Sequence, residues 1–436
     1  MAKNKKNFFV KPRFRKIPQF EAVESEIDCD SEVREIIVEH KSGFNTLEVL
    51  LIMLVSIAFG VVIGITISVV RQDYKGEEVS KPVQELLTTY HNILDTYYKD
   101  LDENELVDAA INGMLTSLND PHSNYFNKED ASNFNETVDG HYEGIGVTVG
   151  MKDNKDFVIL KVEANSPAKK ADLKEGDIIL KIGKKDISGL TLKEVSSMIK
   201  DESKEKLEFT LLRDGKEIKK NVKPGIIELV SVKSEIISEE GGIGYIYIQS
   251  FAANTYDQFK KELKKLENKK IKSLIIDVRD NPGGHLSQTR DILELFMKKN
   301  KVLYQVEFKG DTTKIMDETK EFRSYPVVVL IDSSSASAAE ILASAFKESY
   351  SNVTLVGETT YGKGTVQTAY SLSDGSTLKY TTEKWLTPKG NWIDGKGIVP
   401  DEEIFLTADY LENPVLSNDC QLQKAIEILK NKSTSN

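Results

Sequence analysis

Val327-Val328-Val329-Leu330-Ile331, then Asp332-Ser333-Ser334-Ser335-Ala336-Ser337-Ala338-Ala339-Glu340, then Ile341 to Phe346: the fold turns on this stretch. Five aliphatic residues in a row, with no polar alternation, fit a strand buried on both faces, as in the parallel sheets of α/β proteins. The run of small residues predicts a tight elbow from strand to helix. Such an elbow presents one hydroxyl above the sheet and aims the helix N-terminal amides at whatever sits there. The same serines and alanines also read as an N-cap cluster with close packing, and composition alone does not choose between the two.

Working outward, the pattern from Gly242 onward is α/β. Tyr245 to Ile248, Leu274 to Val278 and Val353 to Val356 read as strands, Tyr256 to Leu266 as a Lys- and Leu-rich helix, and Gln421 to Leu429 as a last helix. Two further loops follow strands. Asp280-Asn281-Pro282-Gly283-Gly284 is a turn whose backbone amides suit an oxyanion. Gly357-Glu358-Thr359-Thr360-Tyr361-Gly362-Lys363-Gly364 has the skeleton of a phosphate-binding loop, but Gly364 stands where Ser or Thr must hold Mg²⁺, which argues against that reading.

Upstream, Gly140 to Gly225 changes to short strands: Ile145 to Val149, Phe157 to Leu160, Ile178 to Ile182 and Leu207 to Leu212. A helix fits at Leu192 to Ile199 and a hairpin turn at Asp214-Gly215. Before it, Val83, Leu86, Leu87, Tyr90, Ile93, Leu94 and Tyr97 recur at helical spacing. Asp102-Glu103-Asn104-Glu105 opens a second helix that Asn119-Asp120-Pro121 stops. The His and Tyr residues of these helices read as packing.

Val49 to Val70 contains no charged residue and is long enough to cross a bilayer as a helix. A buried core helix or a cleaved signal sequence are the alternatives. A core helix is rarely apolar all round for this length, and Ile67 to Arg71 offers no convincing cleavage site. Lys3, Lys5, Lys6, Lys11, Arg13, Arg15 and Lys16 favour an N-terminus on the cytoplasmic side, with the bulk outside. The formal net charge of −11 over 436 residues argues against nucleic acid as a partner. Two cysteines, Cys29 and Cys420, exclude a disulfide framework or a CxxC site, and the five histidines show no metal-ligand spacing.

Tyr142-Glu143-Gly144-Ile145-Gly146-Val147, the string Ser166 to Ile179 (SPAKKADLKEGDII) and the strand ending Arg213-Asp214-Gly215 together resemble a PDZ domain. The resemblance implies that Glu143, Gly144, Ile145, Gly146 and Val147 take up an added peptide strand and its C-terminal carboxylate. The plain alternative is a hairpin turn between strands.

The three strand-end loops, with Ser117 to Tyr125 (SLNDPHSNY), Leu386 to Gly390 (LTPKG) and Gly395 to Asp401 (GKGIVPD), resemble the C-terminal processing peptidases from about Leu86 to Phe405. That family implies a Ser–Lys pair: Ser337 as nucleophile, three residues before Glu340, Lys363 as general base and Gln367 orienting it. The oxyanion donors would be Ala338 with Gly283 or Gly284. Ala339 departs from the family's S-A-S-E string, and the spacing from Ser337 to Lys363 is one residue longer than usual. His285, beside the glycine turn, is a rival base.

The resemblance further implies a mixed-sheet α/β peptidase core of the ClpP/crotonase type with an inserted PDZ domain, a helical N-terminal region and one transmembrane helix. The organisation expected is 1–46 cytoplasmic tail, 47–70 anchor, 71–139 linker and helices, 140–226 PDZ domain, 227–412 peptidase core and 413–436 C-terminal helix and tail. The function expected is that of a membrane-anchored serine endopeptidase in a bacterial cell envelope, acting on proteins or peptides with exposed C-termini. No metal or organic cofactor is implied, and homo-oligomerisation is left open. A PDZ scaffold without activity is the alternative, and an ATP-dependent enzyme using Gly362-Lys363 a more distant one.

Overall fold

The computed structural model describes residues 80–153, 155–200, 205–238 and 242–434. The candidate membrane span and the tail before it lie outside these residues. No helix among the described residues is long and apolar enough to cross a membrane.

The chain divides into two compact units between Ala110 and Ile111. In the first, Ser80 precedes helix α1 (Lys81–Thr96), and Asp102 caps helix α2 (Glu103–Ser117) by accepting from the amides of Asn104 and Glu105 at 2.8 and 3.4 Å. The Tyr90 hydroxyl donates to Glu103 at 2.6 Å. Neither helix buries a residue, and Val83, Leu86 and Leu87 stay exposed on α1. The helical periodicity is therefore real, but it does not serve an internal core here.

In the second unit, β1 (Asn124–Phe126) and helix α3 (Lys128–Asp139) lead to β2 (His141–Gly144). Next come β3 (Val147–Lys152), β4 (Asp156–Val162), the short α4 (Pro167–Lys170), β5 (Ile178–Ile182), β6 (Lys185–Asp186), α5 (Leu192–Ile199), β7 (Leu207–Arg213) and β8 (Lys216–Val222). They form one sheet in the order β3-β4-β5-β7-β8, with β6 on β5. It encloses a core of its own around Phe157, Ile159, Leu173, Val195 and Phe209. The SPAKKADLKEGDII string is a sequence of local devices. Ser166 Oγ caps α4 by accepting from Lys169 N, and Pro167 sits where a helix tolerates it. Ala168 is fully buried, and Asp177 pairs with Arg213 at 2.7 Å. β9 (Gly225–Glu228) returns antiparallel to β2, so the two chain crossings into and out of this module run side by side.

The rest builds two more sheets. β10 (Val232–Ser238), β11 (Ile243–Ile248), α6 (Thr255–Asn268), β12 (Ser273–Asp277), α7 (Leu286–Leu293), β13 (Val302–Phe308), β14 (Asp311–Met316) and β15 (Val327–Ile331) come first. They are followed by α8 (Ala338–Ser349), β16 (Val353–Gly357), β17 (Thr365–Ser371), β18 (Thr377–Leu386), β19 (Glu402–Glu403), α9 (Ala408–Glu412) and α10 (Cys420–Thr434). The central sheet runs β10-β11-β12-β15-β16-β19, parallel except for β10. As the unalternating sequence predicts, both faces are covered. Val327, Val329 and Ile331 pack with Phe259, Ile341 and Phe346 on one side, and Val328 and Leu330 with Leu422, Ala425 and Leu429 on the other. The second sheet is β1-β18-β13-β14, with β17 on β18. The pairing of β1 with β18 carries the NDPHS segment to Lys379 and Thr381, a neighbourhood that sequence periodicity does not signal.

Candidate active site

Ser337 stands between the fully buried β15 and α8 with φ 54° and ψ −114°. A non-glycine residue holds such a backbone only where its surroundings impose it, and such strain concentrates at functional turns. The surroundings are visible. Asp332 accepts both from the Asp280 amide and from the amides of Ser334 and Ser335, tying the serine loop to the glycine loop. The Ser335 hydroxyl donates to Val278 O at 2.7 Å and is buried in structural work, whereas Ser333 and Ser334 are exposed. Of the four serines, Ser337 is the half-buried one at the helix start.

Glu340 is the hub of the site and is fully buried. Its Oε2 accepts from the backbone amides of Ser337 at 2.8 Å and Lys363 at 2.9 Å. Its Oε1 accepts from the Thr360 hydroxyl at 2.6 Å and the Gly362 amide at 2.7 Å. One carboxylate oxygen thus holds the amides of both candidate catalytic residues. The remaining backbone groups of Gly362–Gly364 are also bound. Gly364 N donates to Asp394, Trp385 Nε1 donates to Lys363 O, Trp392 Nε1 to Gly364 O, and Gly395 N to Gly362 O. Because the amides of Gly362, Lys363 and Gly364 face two carboxylates, they do not cradle a phosphate, which argues against the nucleotide-loop reading.

Lys363 is held down to about 8, first by burial and then by the positive charge of Lys379, against the opposing pull of Asp120 and Glu340. A lysine near neutrality is a usable base. No hydrogen bond joins Lys363 Nζ to Ser337 Oγ or to Gln367; such contacts commonly tighten only with substrate in place. Gln367 Nε2 donates to Thr365 Oγ1 at 2.9 Å and Thr381 Oγ1 at 3.1 Å. The His285 ring lies against Val138 O at 3.2 Å and has no hydrogen bond to Ser337.

The expected oxyanion donors separate in the structure. Gly283 N donates to Asn281 Oδ1 at 2.8 Å and is engaged. The amides of Ala338 and Gly284 donate to no acceptor among the described residues. Gly283 contributes closeness instead. A Cβ there, at φ 98°, would lie 2.9 Å from Ser337 Cβ and 2.8 Å from Ala336 O.

At the loop expected to bind peptide, Ile145 O and Gly146 O accept from Ala168 N and Glu163 N. The amides of Ile145 and Gly146 donate to nothing among the described residues, although both residues are buried. Val147 begins β3, an edge strand, with α5 packed beside it. Paired amides beside an open strand edge suit a chain terminus added as a further strand. Glu143 and Gly144 lie in β2 on the crossing ribbon instead.

Sequence reading missed four contributors. Glu340 served there only to mark the position of Ser337. Asp120 was read as part of a helix stop, and both it and His122 as part of the string Ser117 to Tyr125, yet both lie within electrostatic reach of Lys363. Lys379 carries no motif at all, and its ammonium is 5.4 Å from the centroids of the stacked Phe126 and Phe134 rings.

A strained serine elbow, a half-buried lysine on a clamped loop and a PDZ-like module together define a serine-type peptidase that carries a peptide-binding domain. The model of peptidase family S41 matches residues 242–404, that of the PDZ domain 144–223, and that of the N-terminal domain of the activating protease CtpB 66–130. The chain is 41% identical over 332 residues to the carboxy-terminal processing protease CtpA of Bacillus subtilis (strain 168), covering 76% of this chain and 70% of the relative. It is 39% identical over 327 residues to CtpB of the same organism, covering 74% and 68%. A probable CtpA-like serine protease of Staphylococcus saprophyticus is 35% identical over 333 residues, covering 76% and 67%. The chain belongs to peptidase family S41, among the PDZ-containing carboxy-terminal processing proteases, and is a serine-type protease.

Proposed function

We propose that the protein is a membrane-anchored endopeptidase with a Ser337–Lys363 dyad, and that its PDZ domain captures the C-terminal tails of protein substrates. Neutral Lys363 takes the Ser337 hydroxyl proton as Oγ attacks the scissile carbonyl carbon. The amides of Ala338 and Gly284 receive the oxyanion. The proton on Lys363 passes to the departing amine, and the resulting acyl-enzyme is hydrolysed by water that gives a proton to the same lysine, which returns it to Ser337 Oγ as the acyl–oxygen bond breaks. Gln367 orients the lysine. The PDZ loop holds the substrate carboxylate on the amides of Ile145 and Gly146, with the chain laid along β3. The observation that carries the dyad is the single Glu340 oxygen shared by the amides of Ser337 and Lys363. Anchoring through 49–70, with the catalytic part on the outer face of a bacterial membrane, rests on the uncharged span and the basic N-terminus.

The test compares full-chain wild type, Ser337→Ala and Lys363→Ala on an unfolded protein with an apolar C-terminus, free or amidated. Only wild type should cleave, and amidation should slow it. Three inert proteins would favour a PDZ scaffold, and cleavage surviving Ser337→Ala would exclude the dyad. Resistance of the full chain to alkaline extraction from membranes, lost when 49–70 is deleted, tests the anchor.

A further inference from the structure

Asp120 lies far from the candidate catalytic residues in sequence, in the NDPHS turn, yet it ends a chain of hydrogen bonds that reaches Gln367. Its Oδ2 accepts from the Ser123 hydroxyl at 2.5 Å and the Thr381 hydroxyl at 2.6 Å, and its Oδ1 from the His122 amide at 3.0 Å. Ser123 Oγ in turn accepts from Thr381 N at 3.2 Å, closing a ring. Thr381 Oγ1 then accepts from Gln367 Nε2 at 3.1 Å.

An ionised carboxylate only accepts, so both hydroxyl protons in this ring point at Asp120. Burial pushes the Asp120 carboxyl up, but the hydrogen bonds from Ser123, Thr381 and the His122 amide outweigh it and keep the group ionised. A threonine hydroxyl has one proton. With that proton on Asp120, Thr381 offers Gln367 lone pairs alone, and only the NH₂ end of the carboxamide can meet them. Thr365 Oγ1 accepts from the same NH₂ group. The Gln367 carbonyl oxygen is therefore turned away from both threonines.

We propose that Asp120 is a positioning residue of the catalytic site: acting through Thr381, it fixes which way round the Gln367 carboxamide faces. This rests on the reading that Gln367 orients Lys363. A carbonyl oxygen beside the lysine can accept from the neutral amine and from the ammonium formed when it takes the serine proton. A carboxamide turned the other way presents N–H donors. A neutral amine satisfies those only with the lone pair it needs for the serine.

The experiment is a double-mutant cycle in the full chain, reading kcat and KM on the unfolded substrate. Asp120→Asn puts a donor where the carboxylate stood and should lower kcat by about 10- to 100-fold with KM unchanged. In a Gln367→Ala background the same change should cost less than about twofold, since the group it positions is gone. Thr381→Val should reproduce the loss, and Thr381→Ser, which keeps the hydroxyl, should recover most of it. An equal loss from Asp120→Asn with and without Gln367 would overturn the proposal, as would wild-type kcat in Thr381→Val. Wild-type kcat in Gln367→Ala, with Lys363→Ala inert, would overturn it by removing the role of Gln367 while leaving the dyad. Activity in Lys363→Ala would show that the dyad itself had failed.

Discussion

Replacing Glu340 by glutamine should disable the protein without touching either proposed catalytic side chain. The carboxylate accepts four hydrogen bonds, from Ser337 N, Thr360 Oγ1, Gly362 N and Lys363 N, and is wholly buried. Glutamine keeps one accepting oxygen, so the two donors on the other side face an NH₂ group. Hydrogen bonds to a charged acceptor contribute about 1.5–3 kcal/mol each. Losing two, with partial relief as the loops shift, gives about 2–4 kcal/mol. For the unit Ile111–Asn436 that lowers the melting temperature by about 3–6 °C. Alanine, which strands all four donors, should cost about 3–5 kcal/mol after water enters the vacated space. The effect on rate should exceed the effect on folding, because Oε2 is the oxygen that sets the Ser337 and Lys363 backbones side by side. Misplacement of about 1 Å costs on the order of 100-fold in kcat. The assay pairs kcat on the unfolded substrate with calorimetric melting, both at a temperature where the variant is fully folded. Binding of a C-terminal peptide to the PDZ domain should be unchanged. A Glu340→Gln protein with kcat within about threefold of wild type would refute the clamp.

Further outcomes are expected at Lys363 and its neighbour Lys379, at Gly283 and at Asp419. Since a lysine acts as a base only when neutral, the proposed dyad predicts that kcat/KM rises with pH through about 8 and levels off above it. Lys379→Met removes the neighbouring positive charge and should move that limb to higher pH. The same depressed value makes the charged lysine a burden on the fold below pH 8, relieved between about 8 and the ordinary lysine value of 10.5. Lys363→Met should therefore melt higher than wild type at pH 7 and lose the advantage by pH 10.5. Gly283→Ala places a Cβ 2.8 Å from Ala336 O and 2.9 Å from Ser337 Cβ at a positive φ. It should abolish cleavage while peptide binding at the PDZ loop, measured by fluorescence anisotropy, persists. Asp419→Ala leaves the fully buried Arg279 without one of its two carboxylates. It should destabilise by about 3–5 kcal/mol, read as a lower denaturant midpoint, because the chain at the start of α10 loses its charged anchor to Arg279 and keeps only the Gln421 bond.

Much of this protein is written locally in its chain. Val327–Ile331 fits a strand covered on both sides, because five aliphatic residues leave no face for water and the run is too short for a helix of its own. Thr191 and Glu194 cap α5 reciprocally, as the run Leu192 to Ile199 implies. Ser337, Lys363, Gln367 and the Ile145–Gly146 amides became candidates through the family resemblance of the strings around them, since composition alone left the serine loop readable as an N-cap cluster. The periodicity of α1 was legible too, but not what its apolar residues contact.

Only the tertiary structure decided which donors remain available and what holds the loops. That Gly283 N is engaged by Asn281, while Ala338 N and Gly284 N are not, depends on backbone directions that a Pro-Gly-Gly string does not encode. Glu340 reaches a loop some twenty residues on, and Asp120 a strand 261 residues away. The sequence carries the residue types and periodicities that choose strand, helix and elbow, because those follow from each residue's near neighbours. Which carboxylate meets which amide follows from how sheets stack and strands pair, so it becomes definite only when distant segments are brought together.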